Sequence, residues 1–129
     1  MKSVLLGVFI LLLCFSGGAQ QRSLQSLVGV WEAVRTNNEG GGLEVIDSAN
    51  LYLLFGDQKK KISTYKADFT QSPVRFDFTV KDSTDSLTLK SLLEFINNDL
   101  IKWQVFEGDV QPVHFVSGSG DLVYLRRKK

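Results

Sequence analysis

Cysteine and histidine are almost absent from this chain, and each scarcity excludes a kind of site. The chain of 129 residues has one cysteine, Cys14, and one histidine, His114. A single thiol cannot form an intrachain disulfide, and a thiolate zinc site needs several cysteines. A lone histidine lacks the partners that metal binding or acid–base chemistry requires. An apolar core must therefore hold the chain together, and we expect no metal site and no cofactor.

An excess of charge of either sign is also missing. The chain carries 15 basic and 14 acidic residues, and removal of Lys2 by processing would leave 14 of each. A neutral domain has no electrostatic attraction for nucleic acid or for an acidic membrane surface. The basic clusters at 59–61 and 126–129 are interpreted as a solvated turn and a solvated tail. We therefore expect no nucleic-acid partner.

The one long apolar run lies at the N-terminus. Lys2 precedes the uncharged apolar residues 4–15, and the small residues 16–19 follow them. A positive region, an apolar region and a small-residue region in this order are typical of a secretory signal peptide. We predict a signal at residues 1–19, cleaved before Gln20, and a single domain at residues 20–129. The protein would then be secreted or periplasmic.

Two other interpretations of this run are less favourable. An uncleaved anchor needs about 20 apolar residues, and the run is shorter than that. Acylation at Cys14 would make a lipoprotein, but the bulky Leu13 precedes Cys14 where a small residue is normally required. We therefore disfavour lipidation at Cys14 and expect no membrane span once the signal is removed.

The rest of the chain alternates between apolar and polar residues. Residues 75–81 are the clearest case, because every even position is apolar and every odd position is polar. Turn residues interrupt the pattern about every eight to twelve positions, which is typical of an all-β sandwich or barrel. The predicted strands are 27–36, 43–46, 50–55, 60–67, 75–81, 86–95, 100–106, 113–115 and 122–127. Residues 87–96 also fit a helical spacing, but their shortness and flanking turns favour a strand.

Short turns between successive strands predict an antiparallel up-and-down order. Closing such a sheet into a barrel removes its exposed edges. The fold class expected from the pattern is therefore an all-β barrel of eight to nine strands. An eight-stranded barrel has an interior just wide enough for side chains or for one small ligand.

Three segments carry a resemblance to a known family. They are Leu27-Val28-Gly29-Val30-Trp31, Gln111-Pro112-Val113-His114-Phe115 and Leu122-Val123-Tyr124-Leu125-Arg126-Arg127. In order and spacing they resemble small exported bacterial lipocalin-like (calycin-type) domain proteins, a planctomycete-type family among them. The resemblance covers nearly all of residues 20–129. The chain departs from the family pattern at Gln111, where an arginine is expected.

The resemblance implies a role for the two ends of the pattern. Gly29 and Trp31 would form the Gly-x-Trp signature, in which the tryptophan closes one end of the barrel. A basic residue of the last strand, Arg126 or Arg127, would pack over the indole ring. A guanidinium on an indole face contributes about 1 to 2 kcal/mol when partly desolvated. These four residues are the expected closure of the barrel.

The resemblance and the alternation together suggest which residues line the interior. The expected inward set is Trp31, Leu53, Phe55, Phe76, Phe78, Leu89, Phe95, Trp103 and Phe115. These side chains form a solid core or, if the barrel is open at one end, the lining of an apolar pocket. The expected function is binding of a small apolar molecule by a monomer. The alternative is a non-enzymatic interaction or structural module of the cell envelope with a filled barrel.

Enzymatic activity is the least favoured interpretation. Residues 117–120 resemble a nucleophile elbow only loosely, because a strand rather than a helix follows them. The acidic residues Asp82, Asp85 and Asp99 lie in predicted turns and do not form an ordered calcium loop. We therefore expect no catalytic residue and no metal ligand.

Overall fold

The structure is a computed structural model of the chain. It describes residues 22–34, 41–106, 108, 111–116 and 121–129. The predicted signal at residues 1–19, with Cys14, and the loop at residues 117–120 lie outside the described residues.

The described residues form eight antiparallel strands that close into a barrel. The strands are β1 (Gly29–Ala33), β2 (Gly41–Asp47), β3 (Asn50–Phe55), β4 (Gln58–Asp68), β5 (Val74–Lys81), β6 (Ser86–Asn97), β7 (Leu100–Phe106) and β8 (Asp121–Arg127). Each strand pairs with the next along the chain, and β8 pairs back with β1. The predicted fold class, an all-β up-and-down lipocalin-like barrel, is confirmed with eight strands.

Strand alternation sets which side chains enter the barrel. In β5, Val74, Phe76, Phe78 and Val80 are buried, and the residues between them are partly exposed. Successive side chains of a strand point to opposite faces, so one face of each strand supplies the core. The segment that also fitted a helical spacing is strand β6, as predicted.

The topology gives the barrel two distinct ends. At the capped end, β1 begins, β8 ends, and the turns at residues 48–49, 69–73 and 98–99 connect neighbouring strands. A 3₁₀ helix, Leu24–Leu27, precedes β1 at this end. At the loop end, the turns at residues 56–57 and 82–85 connect neighbouring strands, β1 and β7 end, and β2 and β8 begin. Among the described residues, no helix has the length and hydropathy needed to cross a membrane.

Two sequence predictions of strand bounds need correction at the start of the barrel. The first strand was expected to begin at Leu27, but Leu27 is the last residue of the 3₁₀ helix and is fully buried. Gly41 and Gly42 were expected in a loop, but both belong to β2. Gly42 pairs with Glu32 of β1 and Leu54 of β3, because a glycine without a side chain can still form ladder hydrogen bonds.

The predicted strand at 113–115 is also wrong. Residues 111–116 have no strand pairing and lie against the outer surface of the barrel. The backbone N–H of Val116 donates to the side-chain oxygen of Gln104, and the Gln104 amide donates back to the Val116 carbonyl. Gln104 points outward from β7, so this segment is attached through a side chain and not through a strand ladder.

Candidate functional site

The middle of the barrel is filled by three aromatic rings. Phe76 and Phe78 of β5 stack with ring centroids 5.3 Å apart. Trp103 of β7 lies 6.4 Å from the ring of Phe76 and 5.9 Å from that of Phe78. Such centroid separations correspond to direct ring contact, so no ligand fits between these side chains. The three residues belong to the predicted inward set, and all are buried.

One buried hydroxyl holds this aromatic layer in place. Ser91 of β6 is fully buried and accepts a hydrogen bond of 2.8 Å from Trp103 Nε1. The Ser91 hydroxyl donates in turn to the carbonyl oxygen of Phe76. Burying an indole N–H without a partner would be unfavourable, so Ser91 satisfies the only polar group of the layer's tryptophan.

Above this layer, toward the loop end, most side chains of the inner face are apolar. Leu53, Ile62 and Val80 are buried next to the aromatic layer. Phe55 and Leu87 share the inner face with them by alternation, but 54% of Phe55 and 56% of Leu87 are exposed. We call Phe55 and Leu87 the rim pair.

The exposure of Phe55 corrects its place in the predicted interior. Phe55 is the last residue of β3, and its partner on β2 is Gly41, which has no side chain to cover it. Sequence alternation placed Phe55 on the correct face of the strand. It could not show that the neighbouring strand offers only a glycine at this level.

A charged pair lies at the same rim. Lys60 pairs with Leu53 across β3 and β4, so its side chain belongs to the inner face. Its ammonium lies 3.6 Å from a carboxylate oxygen of Asp82 in the β5–β6 turn. The interpretation of residues 59–61 as a solvated turn is therefore wrong for Lys60, whose spacing of two from Ile62 indicates an inward position.

The opposite end of the barrel is sealed by Trp31 and Arg127. Trp31 is fully buried, and its indole N–H donates to the carbonyl of Leu27 at 2.8 Å. The guanidinium carbon of Arg127 lies 4.3 Å from the centroid of the Trp31 ring. Arg127 faces Trp31 in the β1–β8 ladder, which places both on the inner face. Arg126 pairs with Glu32 on the outer face and takes no part in this closure.

Arg127 also joins three separate segments at the capped end. Its guanidinium donates to the carbonyl oxygens of Ser26 at 2.9 Å, of Val28, and of Asn98 at 2.9 Å. Its Nε donates to a carboxylate oxygen of Asp99 at 3.0 Å. The 3₁₀ helix, the start of β1 and the β6–β7 turn are thus held together by one side chain.

Gly29 is required beside this arginine for two reasons. Its φ of +135° lies in a region that side-chain-bearing residues rarely adopt. A Cβ atom at this position would lie 2.8 Å from Arg127 Nη1. The glycine of the Gly-Val-Trp pattern therefore makes room for the guanidinium that covers Trp31.

The remaining members of the predicted inward set occupy different places. Leu89 and Phe95 are partly buried against the core, and Phe95 meets Trp31 edge-on with centroids 6.4 Å apart. Phe115 is not in the interior. It lies on the outer wall with the ammonium of Lys102 4.4 Å from its ring centroid, and Lys102 points outward from β7. The prediction was wrong because the Val113–Phe115 alternation is not that of a strand.

The shifted pKa values among the described residues have local structural causes. Backbone and side-chain hydrogen bonds in the turns lower the pKa of Asp47 and the pKa of Asp68. Burial raises the pKa of Tyr65, whose hydroxyl donates to the Ser48 carbonyl at 2.8 Å. His114 is exposed on the outer segment. No group of three histidine, cysteine, aspartate or glutamate side chains comes together within the part of the chain that the structure describes.

The sequence and the structure were compared with known proteins. No protein-family model, no curated protein and no solved structure matches the chain.

Proposed function

We propose that this protein is an exported lipocalin-like binding protein that takes a small apolar molecule at the loop end of its barrel. The observation that carries the proposal is the exposure of the rim pair, Phe55 and Leu87, on the inner face. Large apolar side chains on this face are elsewhere covered by their neighbours. A ligand that covers the rim pair would remove their apolar surface from water, which is favourable by about 25 cal/mol per Å².

The ligand would rest above the aromatic layer and not within it. Phe76, Phe78 and Trp103 are in mutual contact and form a floor. Leu53 and Val80 supply apolar walls between this floor and the rim. The Lys60–Asp82 pair supplies one cation and one anion at the edge, where a polar end of the ligand would remain hydrated. Few polar groups on a mainly apolar surface are typical of small-molecule sites.

A second function is favoured by the outer wall. Leu122 and Tyr124 of β8 point outward, and 45% of Leu122 and 43% of Tyr124 are exposed. With a filled middle layer, the barrel would then act as an interaction module that presents this wall to an envelope partner. We rank this function second because the rim pair offers apolar surface on the concave inner face.

Binding of a neutral fluorescent hydrophobic probe, N-phenyl-1-naphthylamine, separates the two functions. We expect Phe55→Ser and Leu87→Ser together to weaken probe binding about tenfold, the effect of losing roughly 1.4 kcal/mol of apolar contact. Leu122→Ser is the matched control, because it removes an exposed leucine from the outer wall. The unfolding free energy of all variants should stay within about 0.5 kcal/mol of the wild type, as for most exposed substitutions.

The converse result would overturn the proposal. If Leu122→Ser weakens binding and the rim substitutions do not, the probe binds the outer wall and the second function is favoured. Native mass spectrometry of protein purified from its own host supplies an independent check. A stable added mass of a few hundred daltons, lost on denaturation, is the expected result, and its identification would name the ligand.

A further inference from the structure

The capped end contains a cavity that the closure by Trp31 and Arg127 does not fill. Its volume is about 350 Å³, within the range of about 300 to 1,000 Å³ typical of small-molecule sites. It lies between the β4–β5 turn and β6. Val74 and Leu93, which are buried cross-strand partners, form its floor. The part-buried rings of Phe69 and Phe95 form its apolar walls.

Arg22 places a positive charge at this cavity, whose lining also includes the polar residues Gln71 and Ser72. Its guanidinium carbon lies 4.6 Å from the centroid of the Phe95 ring, and Nη1 donates to Asn98 Oδ1 at 2.6 Å. These two contacts fix the guanidinium while using one of its five N–H donors. No further partner of Arg22 is found among the described residues. A half-buried guanidinium with donors to spare is suited to a carboxylate, whose two oxygens match its planar fork.

We propose that this cavity binds a small apolar carboxylate, with its apolar body against Phe69 and Phe95 above the buried Val74 and Leu93, and its carboxylate on Arg22. The site is at the opposite end of the barrel from the rim pair and does not depend on the function proposed for the loop end. The cation–π contact with Phe95 uses the face of the guanidinium, so the N–H donors on its edge that do not bond to Asn98 can meet a carboxylate.

One acidic residue borders the cavity, and its charge predicts a second effect on carboxylate binding. Glu94 pairs with Lys102 across β6 and β7, so it belongs to the outer face and is exposed. Its charge opposes that of a bound anion, although water screens it. Removal of this charge in Glu94→Gln should therefore tighten carboxylate binding slightly, whereas Arg22→Gln should weaken it.

The test is a methyl NMR titration of the purified protein with 3-phenylpropionate and with its uncharged amide, 3-phenylpropanamide. We expect the carboxylate to shift the methyl signals of Val74 and Leu93, and the amide to bind about tenfold more weakly or worse. Equal affinity for acid and amide would overturn the proposal. So would the absence of shifts at Val74 and Leu93 at millimolar carboxylate. Shifts confined to Leu53, Ile62 and Val80 would mean binding at the loop end, which overturns the second site and supports the first.

Two matched variants assign the charge. Arg22→Gln should weaken carboxylate binding about tenfold and leave amide binding unchanged, because only the ionic contact is lost. Arg126→Gln removes an exposed cation from the same end of the barrel, outside the cavity, and should change neither affinity. Equal weakening by both variants would show general electrostatic attraction and overturn the assignment. Because Arg22 precedes the strands, its substitution should leave the barrel folded. A circular dichroism melt of each variant verifies this.

Discussion

The two ends of this barrel are built from the same alternating strands, yet their inner-face side chains differ in exposure to solvent. At the capped end, Trp31 is fully buried beneath Arg127. At the loop end, Phe55 and Leu87 stand on the same inner face and are more than half exposed. For Trp31 and Phe55 the cross-strand partners differ. Trp31 faces an arginine, whereas Phe55 faces a glycine.

Closure of a barrel end is therefore a property of pairs and not of single residues. The indole of Trp31 needs the guanidinium above it, the carbonyl of Leu27 beside it and the space left by Gly29. The rim pair has no such cover among the described residues. We therefore expect substitutions in the Trp31–Arg127 closure to change stability, and those at the rim to change binding at the loop end.

Trp31→Ala is expected to have the largest effect. Removing a fully buried indole leaves a cavity and deprives Arg127 of the ring that it covers, so the unfolding free energy should fall by about 3 to 5 kcal/mol. Urea unfolding followed by far-ultraviolet circular dichroism measures the loss. A variant as stable as the wild type would mean that Trp31 does not close the barrel.

Arg127→Met should have the next largest effect. The variant keeps an apolar stem over Trp31 but leaves the carbonyls of Ser26 and Asn98 without their donor, for a loss of about 2 to 3 kcal/mol. Arg126→Met is the matched control, because Arg126 points outward and its loss should stay within about 0.5 kcal/mol. Equal losses of stability in thermal unfolding of the two variants would contradict the assignment of Arg127 to the inner face and Arg126 to the outer face.

Gly29→Ala should cost about 1 to 2 kcal/mol, because the new side chain meets an unfavourable φ and displaces Arg127 Nη1. Gly41→Ala is the control, since a Cβ there would make only an ordinary contact of 3.5 Å with the Leu54 carbonyl. In an Arg127→Met background the effect of Gly29→Ala should shrink, because the clash is then relieved. Strict additivity in a double-mutant cycle would show that the glycine acts through its backbone alone.

The smallest expected effect is the pH dependence contributed by Asp99. Hydrogen bonding from Lys129, with a further contribution from Arg127, lowers the pKa of Asp99 below its usual 3.8. A carboxylate whose pKa is lower in the folded state stabilises the protein at pH values above its unfolded-state pKa. This stabilisation is lost as the pH falls through the folded-state pKa. Asp99→Asn should therefore be less stable than the wild type at neutral pH, and the difference should vanish in strong acid. A difference that persists there would point to packing and not to charge.

Much of the fold could be predicted from the residues, because strand alternation and turn chemistry are local. The Phe76–Phe78 alternation identifies β5 and its inner face without any tertiary information. The resemblance at the Gly-Val-Trp segment correctly predicted that Trp31 contacts a basic residue of the last strand. Prediction failed at Phe115, where a short apolar run that looks like a strand lies on the outer wall. Its position depends on a side-chain hydrogen bond between Gln104 and Val116, which no local pattern encodes.

The all-β class, the number of strands to within one and the face on which most core residues lie could be predicted from local patterns. These follow from a period of two, which each strand carries along its own length. Three features could be identified only in three dimensions: Arg127 and not Arg126 covers Trp31, Phe55 is left exposed, and Arg22 borders a cavity. Each of these depends on the register between strands or on contacts between segments far apart in the chain, and a shift of one residue in register would reverse the faces.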